Sequence, residues 1–461
     1  MQSPNNSLPD GLPMPQRLFS VITVSLGVTL AVMDGTIVNV ALPSMAQALS
    51  ITDAQSIWIV NSYQLTIIML LLAMSAIGEI YSYRRLYVAG LSIFTLASLC
   101  CGLSTGFQSL VLGRLLQGVG AAAMMSINMT LLRLSYPKRL LGKGIGWNAT
   151  IVALASVAGP SLAALILSTA HWRWLFLINI PIGLIGLILG CRNLPKNVVK
   201  LSERRFPRVD VVLNALFFGS IILALEGISH GFDLWTIGGL ILLALLVGYA
   251  YLHRQLHMRY PLLPIDLLRI PLFSLSVVTS IASFTSQMLA MVAVPFFFQQ
   301  QLGLTGAETG MLFTAWPVVI MFAAPLAGSL IGKVHAGLLG GIGLALLTLG
   351  TGSLALLTPD ATHLDIIWRL MLCGMGFGLF QSPNNNILMT SAPPARSGSA
   401  SGMLAMARLT GQTTGATLVA LFFGLLGSQA PRAALFTAAL VSLLACLLSL
   451  SRLKLKSGPK A

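Results

Sequence analysis

The feature that most constrains this chain is a series of apolar runs, each roughly 20 residues long, that recurs along almost its whole length. A helix of about 20 residues, at 1.5 Å per residue, crosses the roughly 30 Å hydrocarbon core of a bilayer. Apolar residues make up 56% of the sequence and charged residues 8%, which excludes the charged surface of an ordinary water-soluble protein. The sequence therefore predicts an all-α polytopic membrane protein.

The apolar runs fall into a pattern of six, two and six. We count fourteen, beginning near residues 17, 57, 84, 107, 143, 174, 209, 234, 273, 309, 338, 365, 399 and 432. Two six-helix bundles around a central axis are typical of many secondary transporters. The predicted organisation is a disordered cytoplasmic tail (1–16), an N-terminal six-helix bundle (17–193), a cytoplasmic linker (194–208), a two-helix insert (209–252), a cytoplasmic connector (253–272), a C-terminal six-helix bundle (273–452) and a cytoplasmic tail (453–461).

The basic residues alternate between loops along the chain. The net charge is +15, which in another protein would indicate nucleic acid binding, but here the charges do not cluster on one face. Of the 27 Lys and Arg residues, Arg173, Arg369 and Arg432 fall on one set of alternate loops, Arg114 and Arg408 fall within spans, and the rest fall on the opposite set. Because basic loops stay in the cytoplasm, this pattern predicts a multi-pass membrane protein with both termini cytoplasmic and no nucleic acid partner.

An aspartate, Asp34, lies inside the first apolar run, and an arginine, Arg114, lies inside the fourth. Ionisable groups at membrane depth are costly and usually functional. The two residues lie at about the same depth when 1.5 Å per residue is counted from the helix ends, so we expect them to meet. One hypothesis is that protonation of Asp34 frees Arg114 and couples proton movement to a conformational change; the alternative is a permanent salt bridge that holds two helices together.

The helical period places small or polar residues on the same faces as this pair. The face that carries Asp34 is expected to lie against a cavity or a close helix. That face consists of Thr23, Gly27, Ala31, Asp34, Val38 and Ala41, and the corresponding face of the fourth helix consists of Arg114, Gln117, Ala121, Met124 and Asn128.

Several segments resemble a known family. Residues 33–43, 112–122, 158–160 and 172–183 are similar to signature segments of the EmrB/QacA subfamily of the major facilitator superfamily, the fourteen-helix drug:proton antiporters. The resemblance implies a major facilitator fold with two extra transmembrane helices. It also implies proton coupling through Asp34 and Arg114, an antiporter motif at Gly159 and Pro160, and export of drugs or toxic compounds in exchange for protons.

The loop after the second helix departs from that family's pattern, because Glu79 replaces an Asp and Ile80 replaces an Arg. Glu79 lies near a helix C-terminus and is followed by Arg84 and Arg85. These three residues are expected to make charged contacts that hold a gate on the cytoplasmic side. The alternative is that they are solvated charges of the headgroup region.

The expected substrate cavity has a soft lining, because Met and aromatic side chains adapt to varied lipophilic ligands. Aromatic faces also attract cations, and the amino half holds one deep acid, so a preference for lipophilic cations is predicted. Arg408 is expected either to bind the substrate or to act as a structural clamp, with backbone carbonyls, Asn384 or Asn386 as its acceptors. The predicted cavity residues are Ala31, Met33, Gln117, Met124, Asn128, Gln287, Met288, Met291, Trp316 and Arg408.

The sequence gives no indication of an enzyme. It contains neither a phosphate-binding P-loop nor a His-Glu-x-x-His zinc helix, and the five cysteines lack metal-ligand spacing. We expect a non-enzyme without cofactor or metal, monomeric, whose partners are a small-molecule substrate, protons and membrane lipids. A proton-coupled exporter of one physiological metabolite is the near alternative, and a channel or a transport-inactive sensor on the same scaffold is a different class.

Overall fold

The computed structural model describes residues 11–195, 208–229, 232–258, 265–392 and 397–454. Within these residues the fold is helical, and twelve stretches are long and apolar enough to cross a membrane. The predicted tails and linker lie largely outside the described residues, whereas residues 253–258 and 265–272 of the predicted connector are described. The fold therefore agrees with the prediction of an all-α polytopic membrane protein.

The helices form a first bundle, an intervening pair and a second bundle. The first bundle contains α1 (Gln16–Leu49), α2 (Asp53–Ile80), α3 (Tyr83–Gly102), α4 (Phe107–Ser135), α5 (Leu141–Thr169), α6 (Trp174–Leu177) and α7 (Asn179–Asn193). The intervening pair is α8 (Arg208–Ser229) and α9 (Leu234–His257). The second bundle contains α10 (Pro271–Phe296), α11 (Gly306–Phe313), α12 (Ala315–Leu330), α13 (Ala336–Ala355), α14 (His363–Ser391), α15 (Ser397–Leu426) and α16 (Ala430–Ser451).

Helices begin close to every predicted start, and the largest difference is at α2, which begins at Asp53 rather than near residue 57. Local chemistry accounts for that boundary. The Thr52 side chain accepts a hydrogen bond from the Gln55 backbone N–H while the Gln55 side chain accepts one from the Thr52 backbone N–H. This capping box satisfies amide groups that the first turn leaves unpaired, so the helix begins before its apolar run does.

The two bundles use the same packing device at equivalent places. A Cβ atom added to Gly120 of α4 would lie 2.6 Å from the Gly90 carbonyl oxygen of α3. A Cβ atom added to Gly343 of α13 would likewise lie 2.6 Å from the Gly376 carbonyl oxygen of α14. Since only glycine permits such backbone contact, small residues bring these helices together as in many membrane proteins. The two bundles therefore share this packing feature.

The α8 and α9 pair lies beside α2 of the first bundle and α15 of the second. The Asn214 side chain donates a hydrogen bond to the Met69 carbonyl of α2 at 3.0 Å. Asp210, which is buried, accepts hydrogen bonds from Arg254 at 3.2 Å and from Gln255 at 3.0 Å. These contacts join the two helices to each other and to the first bundle.

The ends of the helices define two faces of the molecule. We call the end that carries the α1–α2 turn, residues 50–52, the turn end, and the opposite end, where α1 begins and α16 ends, the termini end. In α1 and α4 the functional candidates lie nearer to the turn end. Asp34 is 15 residues from the last residue of α1, and Arg114 is 7 residues from the first residue of α4.

Candidate functional site

Asp34 of α1 and Arg114 of α4 are in direct contact. The Arg114 Nη1 atom lies 2.5 Å from the Asp34 Oδ2 atom, and both side chains are completely buried. Removing two charges from water costs several kcal/mol each, and the attraction between them offsets this only when further hydrogen bonds satisfy their remaining polar atoms. The pair should therefore be part of a larger network.

Polar side chains from α3, α4 and α7 supply that network. The Gln117 Nε2 atom donates to Asp34 Oδ1 at 2.8 Å, and the Asn179 Nδ2 atom donates to the same oxygen at 3.1 Å. The Gln117 amide also donates to the Ser98 Oγ atom at 2.9 Å. Each carboxylate oxygen of Asp34 thus accepts at least one hydrogen bond from a protein side chain.

Arg114 is held from several directions. Its Nε atom donates to the Ile59 carbonyl at 2.8 Å, and Nη1 also donates to Gln117 Oε1 at 2.6 Å. The guanidinium lies over the Tyr63 ring, 4.3 Å from its centroid. Its Nη2 atom is buried and has no hydrogen-bond partner within the described part of the chain. Arg114 therefore has several partners besides Asp34, and its Nη2 nitrogen is free to donate a hydrogen bond if the packing of α1 and α4 changes.

The predicted face of α1 lies against close helices rather than a cavity. Residues Thr23, Gly27, Ala31, Asp34, Val38 and Ala41 are all buried. At Gly27, an added Cβ atom would clash with the Tyr87 side chain of α3 and contact Met124 of α4. The small residues allow α1 to approach α3 and α4, and this close approach brings Asp34 to Arg114.

Gly159 and Pro160 lie within α5 at its contacts with two neighbouring helices. A Cβ atom on Gly159 would clash with the Thr36 hydroxyl of α1, two residues from Asp34. The Pro160 carbonyl would lie 2.8 Å from a Cβ atom on Gly310 of α11, across the boundary between the bundles. The predicted motif thus lies between the ion pair and the second bundle.

Several predicted cavity residues are packed in this structure. Gln117 belongs to the ion-pair network, and Trp316 is fully buried beside Phe313. The expectation that these residues line an accessible cavity is not met here, because helix rotation turns them into packed interfaces. Also buried are Ala31, Met33, Met124 and Met288, and Gln287 is 8% exposed.

Three predicted cavity residues are partly accessible: Asn128, Met291 and Arg408. The Asn128 side chain lies 3.5 Å from the Asn148 side chain of α5. Asn384, an expected acceptor for Arg408, instead accepts a hydrogen bond from Arg452 at 2.8 Å. The clamp of Asn384 by Arg408 is therefore wrong.

The predicted gate residues make contacts of a different kind. The Arg84 guanidinium donates to the Cys191 carbonyl, which joins the start of α3 to α7 inside the first bundle. Arg85 is exposed. The Glu79 side chain lies outside the described part of the structure, so its predicted contact stays a prediction.

The two bundles are in contact at the turn end. Ser161 and Thr314 share a hydrogen bond of 3.0 Å, and the Gln300 side chain donates to Asp53 at 2.8 Å. Gln299 donates to the Val40 carbonyl at 3.4 Å. The Asn61–Thr417 and Gln64–Met288 contacts lie further from the turn end than these. The side-chain hydrogen bonds between described residues of the two bundles all lie in the turn-end half, so these bonds hold the bundles together at this end.

Three side chains of the site were not predicted from the sequence: Asn179, Ser98 and Tyr63. Asn179 was within the 172–183 segment, and its position at the start of α7 gave a signal, since an amide in an apolar run needs a partner. Ser98 and Tyr63 gave none, because a serine or tyrosine within an apolar helix is common and the rotation of α2 and α3 decides which way it points.

Comparison with known proteins supports this description. A model of the Major Facilitator Superfamily matches residues 24–416 and, in a second match, 276–461. The chain is 51% identical to the uncharacterized transporter YebQ of Escherichia coli (strain K12) over 95% of this chain and 96% of that protein.

More distant relatives have named functions. The chain is 29% identical to the riboflavin transporter RibZ of Clostridioides difficile (strain 630), over 89% of each chain. It is 28% identical to the multidrug resistance protein Stp of Mycobacterium tuberculosis (strain CDC 1551 / Oshkosh), over 89% of this chain and 75% of that protein.

Among solved structures, a POT family transporter in complex with a thioalcohol-conjugated peptide superposes with a TM-score of 0.72 at 15% identity. The match covers 95% of this chain and 96% of that one and concerns the fold alone. From the family match and the fold, this chain belongs to the Major Facilitator Superfamily of transporters.

Proposed function

We propose that this protein is a secondary active transporter that exports lipophilic small molecules in exchange for protons by alternating access. The observation that carries this proposal is the buried contact between Asp34 and Arg114. A titratable acid sealed inside a transporter beside a permanent cation is a costly arrangement, and such groups in membrane proteins commonly mark proton pathways. The multidrug resistance protein Stp among the relatives supports an export function.

The network gives a physical route to coupling. A proton on Asp34 would neutralise the carboxylate and remove its attraction for Arg114, whose guanidinium would still have the Ile59 carbonyl and Gln117 as partners. Because α1 carries Asp34 and α4 carries Arg114, this change alters how α1 packs within the first bundle. Each proton that enters down a membrane potential supplies about 2.3 kcal/mol per 100 mV.

We place the turn end outside and the termini end in the cytoplasm of a bacterium, with the chain in the inner membrane. The distribution of basic residues between alternate loops supports this orientation. With that assignment, contacts such as Ser161–Thr314 close the molecule to the outside. Closure at this end is what an inward-facing state requires, in which the transporter would take up substrate and release protons on the cytoplasmic side.

We also propose fourteen membrane crossings. One of the twelve apolar stretches, Gly402–Ser451, contains two helices, α15 and α16, joined by a turn at Gly427, whose φ is 54°. The α8 helix adds a further crossing of 22 residues beside α9. Fourteen crossings keep both termini on one side and match the fourteen-helix antiporters that the sequence resembles.

The predicted preference for lipophilic cations depends on Asp34 as an acid open to substrate. In this structure the Asp34 carboxylate is buried and engaged by Arg114, Gln117 and Asn179. A cationic compound would have to displace these partners to reach it. The preference for cations stays a prediction. The position of Arg408 gives a reason to expect a preference for anionic compounds instead.

The second candidate function is export of one physiological metabolite. The observation that favours it is the similarity to a riboflavin transporter at 29% identity over 89% of each chain. A multidrug exporter should move many unrelated compounds, whereas a metabolite exporter should move one and ignore most drugs.

The proposal is tested by transport into everted membrane vesicles, whose interior corresponds to the outside of the cell. We expect uptake of dyes and antiseptics from a broad panel when the vesicle interior is acid, and collapse of uptake when a protonophore is added. Gradient-independent ion current through the protein would favour a channel instead. Movement of a single metabolite, with no transport of the panel, would favour the second candidate.

Closure of the turn end should depend on Gly310, whose position leaves no room for a side chain. We expect Gly310→Val to clash with the Pro160 carbonyl and Ala164, hold the bundles apart and reduce transport to background. The readout is labelling of Asn61→Cys, a buried position below the closure, by a thiol reagent added from outside; labelling should rise several-fold.

The matched control for this experiment is Gly328→Val on the adjoining helix, where an added Cβ atom meets no atom within 4 Å. It should leave both transport and labelling of Asn61→Cys unchanged. Equal labelling of the Gly310→Val and control proteins would contradict the assignment of this contact as the outer closure.

A further inference from the structure

Arg408 lies on the inner face of α15, deep within the molecule. Its side chain is partly accessible although protein surrounds it, and no residue from 402 to 423 of this helix is exposed. Leu404, Arg408 and Gln412 follow the i, i+4 spacing and are all partly accessible, so they form one stripe along the helix. The α15 helix packs against α2, α8 and α10, so the space that leaves Arg408 partly accessible lies among protein helices.

The Arg408 guanidinium has no compensating partner among the described residues. It makes no hydrogen bond or ion pair with any residue that the structure describes. Asn384 is unavailable because its amide binds Ser280 at 2.7 Å and Arg452 at 2.8 Å. An arginine at about 17 Å along a membrane helix is costly unless it faces water or a ligand.

The charges around this space are unbalanced. Asp34 is the deep acid among the described side chains of the spans, and Arg114 neutralises it. Asp53, Glu308 and Asp365 lie in the first turns of their helices, at the turn end. The buried Asp210 is paired with Arg254, so no described acid neutralises Arg408, and its positive charge attracts anions and repels cations.

Tyr63 connects this space to the ion pair. Its ring carries the Arg114 guanidinium on one face, and its hydroxyl donates to the Ala31 carbonyl at 3.3 Å. Tyr63 also lies within electrostatic range of Arg408. Arg408 is thus close to Tyr63, which contacts Arg114 of the ion pair, while the Arg408 side chain itself remains partly accessible.

We propose that Arg408 binds an anionic or oxygen-rich acceptor group of the transported compound, so that the cavity selects acids and acceptor-rich molecules over cations. A guanidinium matches carboxylate, sulfonate and phosphate oxygens through paired N–H donors. The proposal rests on the transport function proposed above and specifies the chemistry of its substrate.

The first test measures the charge selectivity of the cavity without any substrate. Gln412→Cys, one helical turn from Arg408, is placed in a protein whose exposed Cys100 and Cys191 are replaced by Ser. Rates of reaction are compared for methanethiosulfonate reagents that carry a sulfonate or a trimethylammonium group. We expect Arg408→Gln to lower the anion-to-cation rate ratio by about tenfold and Arg408→Lys to preserve it.

The control for this test is Arg369→Gln, which removes an arginine at the start of α14 that pairs with Asp365. It should leave the ratio unchanged. A ratio that does not respond to Arg408→Gln, or that falls equally with Arg369→Gln, would overturn the proposal. The labelling needs no ion gradient, so a failure of proton coupling would not alter its outcome.

The second test compares two dyes with the same xanthene skeleton, anionic fluorescein and cationic rhodamine 123, by their binding to the purified protein. We expect fluorescein to bind about tenfold more tightly and the difference to disappear in Arg408→Gln. Tighter binding of rhodamine 123, or a failure of fluorescein to bind measurably, would overturn the proposal.

Discussion

Replacing Asp34 by Asn is expected to abolish accumulation driven by a proton gradient while leaving the protein folded in the membrane. For each coupled proton, a gradient of one pH unit is worth about 1.4 kcal/mol and supports about tenfold accumulation of substrate. An amide cannot exchange a proton in this pH range, so the accumulation ratio should fall to about one. Exchange of substrate down its own gradient, which needs no proton, should persist. The measurement is uptake into proteoliposomes with and without an imposed pH gradient.

Asp365→Asn is the matched control, because Asp365 is a partly exposed acid in the first turn of α14. It makes the same chemical change outside the network and should retain full accumulation. Normal gradient-driven accumulation by Asp34→Asn would remove this acid from the coupling mechanism. Loss of both accumulation and exchange would show instead that the carboxylate is needed for the conformational cycle itself.

The second large effect is expected when Arg114 is replaced by Gln. This substitution leaves the buried Asp34 carboxylate without its cation, and breaking a buried pair from one side typically costs about 3–5 kcal/mol of stability. We expect a strongly reduced yield and a lower unfolding temperature in detergent. Adding Asp34→Asn to Arg114→Gln replaces the pair by two neutral amides and should recover much of the lost stability.

The double variant separates the two interpretations of this contact. If Asp34 and Arg114 only hold α1 against α4, the double variant should recover gradient-driven accumulation together with stability. If they carry the coupling, it should fold and still fail to accumulate substrate against its gradient. Recovery of accumulation by Asp34→Asn with Arg114→Gln would therefore reduce the contact to a structural salt bridge.

The sequence predicts the helices and the central contact for a clear physical reason. Apolar runs locate the helices, and counting 1.5 Å per residue places Asp34 and Arg114 at comparable depth. A charged residue in an apolar run also has few possible partners, so depth alone nearly identifies the pair. The face of α1 that carries Asp34 was predicted to lie against a cavity or a close helix, and in the structure it packs against α3 and α4.

The remaining features depend on helix rotation and on neighbours that are distant in sequence. Trp316 and Met33 have the composition expected of a cavity lining, yet both are buried because their helices turn them into packed interfaces. Asn384 binds Arg452, 68 residues away, and not Arg408. Period and composition do not distinguish these arrangements, since each satisfies the same local pattern.

The most direct test of the central claim is the proton movement that accompanies substrate. Proteoliposomes loaded with a transported compound, without any imposed gradient, are diluted into weakly buffered medium that contains a pH-sensitive dye. Proton coupling through Asp34 requires that substrate efflux carry protons inward, so the medium should become alkaline with the wild-type protein and stay unchanged with Asp34→Asn. Substrate efflux by the wild-type protein without a change in external pH, or the same alkaline shift with Asp34→Asn, would contradict it.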